Sequence, residues 1–177
     1  AVTKQAQTVP SLSPFSYLYQ PLQNIFLINA PRDASGNAYT LQSYCKALAQ
    51  LYLNNSTTPT GNAQVDGAVL ASEAIYAALN PAFSIVTDQN AIMNAFYSLT
   101  EKTQVALTSA YFYYNSGNEL FSSIQGTLFK NGLSDANLAT VITFVNALPA
   151  DVVNLSITTG GNNVPGTSWY DQLLNLL

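Results

Sequence analysis

The chain has 177 residues, 48% of them apolar and only 8% charged, with a formal net charge of −4 and no histidine. That length suits one domain able to bury most of its apolar surface, and the low-hydropathy, high-charge signature of disorder is missing. The five cations, Lys4, Arg32, Lys46, Lys102 and Lys130, cannot neutralise the run of phosphates that a nucleic acid presents, and no apolar run reaches the roughly 18 residues of a membrane span.

Residues 1–14 hold two prolines and no helical period, which predicts an extended N-terminal arm ahead of a single helical domain over 15–177. Pro21 is placed to open a short helix to Ile28, with Leu22, Ile25 and Phe26 on one face and Pro31 ending it. From Tyr39 to Asn54, Leu41, Tyr44, Cys45, Leu48, Leu51 and Tyr52 repeat at helical spacing. A Ser/Thr/Pro/Gly loop over 55–61 follows. Val65, Val69, Ile75, Tyr76 and Leu79 then mark another amphipathic helix, stopped by Pro81. Thr87 is the expected cap of the next helix, which carries Ile92, Met93, Phe96 and Leu99 and whose period runs on past Glu101 to Tyr114. Ser116 and Gly117 break it.

A further helix is expected over 119–130, closed by Asn131-Gly132 as a left-handed cap. Ser134 caps the most regular stretch, 135–148, with Leu138, Val141, Ile142, Val145 and Leu148 in one stripe and Pro149 after it. Residues 152–158 alternate like a strand, yet a lone strand has nothing to pair with. Trp169, Leu173, Leu174 and Leu177 fit a short terminal helix. The predicted fold class is all-α, a helical bundle of about five principal helices with two short ones.

Chemistry is excluded more sharply than it is indicated. Without histidine and with one cysteine, the ligand sets of zinc, copper and iron are missing, and no stretch has the spacing of a calcium loop, so no cofactor or metal is expected. Histidine-dependent triads are impossible, and we expect no catalytic residue. Cys45 falls on the buried side of its helix and reads as a core thiol. Asp66 and Glu73 share a helix face and are the one carboxylate pair an enzyme could use, although two acids on a solvated face are ordinarily surface groups. Asp88, Asp135 and Lys130 suit helix ends by charge, Arg32-Asp33 suits a turn, and Glu101-Lys102 should mark an exposed helix side. The stretch from Asn131 to Pro149 resembles the C-terminal helix of small c-type cytochromes, but the haem-attaching Cys-x-x-Cys-His is absent.

What remains points to surfaces. About a third of the chain is Asn, Ser, Thr or Gln, so its exterior is polar and nearly uncharged, with little repulsion between copies. Four consecutive aromatics, Tyr111 to Tyr114, cover all sides of a helix. They fit a central buried helix, a subunit interface, or a stacking platform for carbohydrate or another flat ligand. Tyr111, Tyr113, Tyr114, Val152 and Leu155 are the interface candidates. Asn54, Asn55 and Asn154 head N-x-S/T sequons and are candidate glycosylation sites.

Ala1 in place of methionine fits a mature chain whose leader has been removed. So few titratable groups also predict tolerance of low pH. In composition the chain resembles exported proteins of acid-hot-spring archaea and their viruses, although its abundance of Asn and Gln runs against a hot origin. The expectation is a non-enzymatic structural subunit, extracellular, at a cell surface or in a virion, whose partners are copies of itself in a filament, surface layer or coat. The alternative is a secreted helical-bundle module that binds a small apolar or aromatic ligand.

Overall fold

A computed structural model describes residues 16–54, 60–81, 86–126, 131–151 and 153–157. Among them seven α-helices form the all-α bundle that the apolar periods imply. The predicted arm over 1–14, Asn55, Val152 and the terminal apolar stretch from Trp169 lie outside the described residues.

A 3-10 turn at Ser16–Leu18 leads into α1, Tyr19–Ile28, where Pro21 sits in the first turn, at a position whose N–H has no intrahelical partner to lose. Its Tyr19, Leu22, Ile25 and Phe26 are buried. The turn after it is built by Asp33, whose Oδ1 accepts from the N–H of Ser35 and of Asn37, while Arg32 donates to the Gly36 carbonyl. Helix α2, Leu41–Asn54, begins on a reciprocal pair: the Ser43 N–H donates to Thr40 Oγ1 and the Thr40 N–H to Ser43 Oγ. Leu41, Tyr44, Cys45 and Leu48 are fully enclosed. Each such aliphatic side chain contributes about 1.5–3 kcal/mol by leaving water.

Helix α3, Ala63–Leu79, is capped by Asn62, and α4, Gln89–Tyr97, by Asp88, whose side chain accepts from the Ala91 N–H. Asp88 therefore takes the place expected of Thr87, which is buried instead. The single long helix expected from Thr87 to Tyr114 is in fact two, α4 and α5, the latter at Lys102–Ser116. Between them Ser98 turns its hydroxyl onto the Ala95 carbonyl, Leu99 is buried, and Gln104 accepts from the Thr100 N–H. The apolar period continues across the break because both helices face the same core.

Glu101 and Lys102 are not an exposed side. Glu101 is the buried N-cap residue of α5, and Lys102 donates through Nζ to the Asn146 and Leu148 carbonyls at the end of the last helix. A cation there matches that helix's dipole.

Helix α5 is the axis of the bundle. Every residue from Thr103 to Phe112 is buried, and α1, α2, α3, α6 and α7 all pack against it, while α4 bridges α3 and α7. It ends at Gly117, whose φ of +80° gives the left-handed C-cap. Helix α6, Leu120–Ile124, capped by Glu119, stops well short of the expected 130. Gln125 instead forms a bridge with Leu133, and a Cβ on Gly132 would lie 2.6 Å from the Ile124 carbonyl oxygen. Gly132 is thus required by a close backbone approach rather than as the cap of a longer helix.

Helix α7, Asp135–Ala147, starts on Ser134 as expected, and its first turn is tied to α4 by Gln89, which accepts from Ser134 N–H and Asn137 Nδ2. Residues 153–157 then lie against α2 and the start of α3, with Val153, Leu155 and Ile157 buried and Asn154 exposed. The alternation is that of a strand, but side chains supply the partners that a neighbouring strand would. Asn62 Nδ2 donates to the Asn154 and Ser156 carbonyls, and the Tyr44 hydroxyl to that of Leu155.

Candidate functional site

Helix α3 lacks the contrast between faces usual for a helix at the edge of a bundle. Its inner side buries Val65, Ala68, Val69, Ala71, Ile75 and Ala78. Its outer side exposes Ala63, Leu70, Ala74 and Ala77, which helical geometry gathers within an arc of about 60°. Leu70 is 47% exposed, and no charge interrupts this stripe. The two carboxylates beside it, Asp66 and Glu73, lie on the same flank and are both engaged.

Asp66, expected at the surface with Glu73, is buried. It accepts from the Tyr52 hydroxyl at 2.9 Å and from Thr60 Oγ1 at 2.7 Å. Both come from outside α3, so the helix alone gives no sign of this burial. Glu73 is exposed and accepts from the Tyr111 hydroxyl at 3.3 Å. Burial, followed by the Glu73 charge, pushes the Tyr111 phenol well above its ordinary range, so it remains a neutral donor. Asp66 and Glu73 thus have different hydrogen-bond partners, Tyr52 and Thr60 for the first and Tyr111 for the second.

About 120° round α3 from Leu70, Tyr76 stands 50% exposed over the seam with α5. Two clefts meet beneath it. One, of about 290 Å³, is lined by Ser72, Glu73 and Tyr76 of α3 and by Tyr111, Phe112, Asn115 and Ser116 of α5. The other, of about 400 Å³, is lined by Tyr76, Leu79, Asn80, Phe112, Asn118, Ser123 and Asn131. They share Tyr76 and Phe112, whose ring centroids are 6.3 Å apart at 58°. Asn80 Nδ2 donates to the Tyr76 carbonyl and Asn115 Nδ2 to the Tyr111 carbonyl, which fixes both amides by their nitrogen ends.

Of the interface candidates, Tyr111 is buried and lines the first cleft. Tyr113 and Tyr114 are half-buried at the end of α5, edge to face with centroids 5.2 Å apart. Leu155 is fully buried in the chain's own core, so it presents no surface to a neighbour, and that candidate is withdrawn. Val152 lies outside the described residues. Among the sequons, Asn154 is exposed with its Oδ1 accepting from Ser156 N–H and Oγ, Asn54 is the last residue of α2, and Asn55 is outside the described residues.

Periodicity places Tyr76, the residue that joins the two clefts, with Val65 and Val69 on the buried side of its helix. On the helix it lies within about 20° of both Val65 and Val69, so its exposure depends on what packs around the end of α3 and no angular signal marks it.

Among the described residues no three of the acids and the cysteine gather into a metal-binding group, and no helix is long and apolar enough to cross a membrane. The chain matches no protein-family model, no curated protein and no solved structure.

Proposed function

We propose that this chain is a non-enzymatic structural subunit that assembles with copies of itself, exported to a cell surface or carried in a virion. The observation that carries the reading is the outer stripe of α3, where Ala63, Leu70, Ala74 and Ala77 face solvent without a charge among them. When a surface meets its own copy across a two-fold axis, each residue faces its own kind or a symmetric partner, so charged stripes repel and neutral small ones approach closely. Alanines at helical spacing let two backbones come near, and Leu70 supplies the apolar anchor.

The described charges support a structural role as well. Asp33, Asp88 and Glu119 accept from backbone N–H groups at a turn and at helix starts, and Arg32 and Lys102 donate to backbone carbonyls. Groups spent in this way hold the fold and leave little for turnover or for binding phosphates. Light scattering and negative-stain microscopy from pH 3 to 7 test the reading, with Leu70→Glu beside the unaltered chain. Regular assemblies of the unaltered chain, dispersed to monomers by the substitution, are expected. A monomer at every concentration overturns the proposal.

A further inference from the structure

We infer that the paired clefts beneath Tyr76 form a binding site for a neutral oligosaccharide, a function separate from assembly. Their volumes, about 290 and 400 Å³, are of the size that encloses small ligands, and their common wall places two sites in series. Two sites in a row along an open seam suit a chain of at least two similar units better than one compact molecule.

The lining gives the chemistry of those units. Tyr76 offers a half-exposed ring, backed by Phe112, as an apolar platform between the clefts. A pyranose has an apolar face of C–H groups that lies against such a ring, while its hydroxyls need partners that both donate and accept. Neutral partners surround the platform: Ser72, Asn115 and Ser116 in one cleft, Asn80, Asn118 and Ser123 in the other. With their nitrogens held by helix carbonyls, Asn80 and Asn115 present Oδ1 as an acceptor in a fixed position, which lowers the ordering cost of binding. Glu73 retains acceptor capacity beyond the bond from Tyr111. Among the described residues no lysine or arginine lines either cleft, and Glu73 is the one charged group in the described lining, which disfavours phosphorylated, sulfated or carboxylated ligands.

Isothermal titration of the full chain with maltotriose, cellotriose and chitotriose, with sialyllactose and indole as charged and purely apolar comparisons, tests the inference. At least one neutral trisaccharide is expected to bind. Tyr76→Ala should weaken it by about ten-fold, whereas Tyr76→Phe, which keeps the ring, should stay within about three-fold. Because Tyr76 is exposed, both variants should fold, as circular dichroism would verify. Repeating the titration in Leu70→Glu separates binding from assembly. Failure of all three neutral trisaccharides to bind, binding of only sialyllactose or indole, or binding that Tyr76→Ala leaves unchanged would each overturn the assignment.

Discussion

Glu101 is the residue whose environment costs the fold most visibly. It is 5% exposed, and its Oε1 is a buried side-chain atom with no hydrogen-bond partner among the described residues. Burial, and after it the charge of Asp151, holds its carboxyl above the ordinary carboxylate range. Folding therefore favours the protonated form relative to the unfolded chain, whose carboxyl ionises at about pH 4.3. Above the raised value the fold carries this carboxylate ionised and buried. As pH falls through the raised value that cost diminishes, and below the unfolded value it is gone. Glu101→Gln, which keeps the shape and removes the charge, is accordingly expected to stabilise the protein at pH 7. The two urea midpoints should converge by about pH 4. An advantage for the variant that is equally large at pH 4 would show that the charge was not the cause.

At the scale of elements, Ser134 and Gly117 act where the chain suggested, whereas Asp88 replaces Thr87 as the cap of α4. The misreadings arise where particular side-chain and backbone contacts, rather than the hydrophobic period, decide the structure. Periodicity runs unbroken from α4 into α5, and only the packing of Leu99 and the back-bond from Gln104 reveal two helices. The early end of α6 depends on Gly132 lying against the Ile124 carbonyl, and the burial of Asp66 on Thr60 and Tyr52. The clefts are not legible in the sequence either, since they form where α3 meets α5 and the residues that follow it. Asn62 shows how much one such residue can join, because it caps α3 with Oδ1 and holds residues 154–156 with Nδ2. Asn62→Ala should therefore cost about 2–3 kcal/mol, against about 1 kcal/mol for Ser134→Ala, which loses a cap alone. Urea unfolding of both variants checks the difference, and equal losses would mean that the contacts to 154–156 contribute nothing.

In the molecule as a whole, the core around α5 is continuous from α1 to residues 153–157, and Cys45 lies inside it. Its thiol is fully buried and pushed up by burial, so neither access nor ionisation favours reaction. A thiol reagent such as dithionitrobenzoate should leave the native protein unmodified and label it only in denaturant. The labelling rate should track global unfolding, and rapid labelling without denaturant would mean that α2 opens locally. The hold on residues 153–157 also implies an order of events. Tyr44 and Asn62 wait for carbonyls that lie 111, 92 and 94 residues further along the chain. A ribosome makes α2 and α3 long before it makes their cover, at about 5–20 residues per second. For several seconds the nascent bundle keeps bare the apolar surface that Val153, Leu155 and Ile157 will fill, so the helices that form first become safe from premature association only when the last described segment arrives.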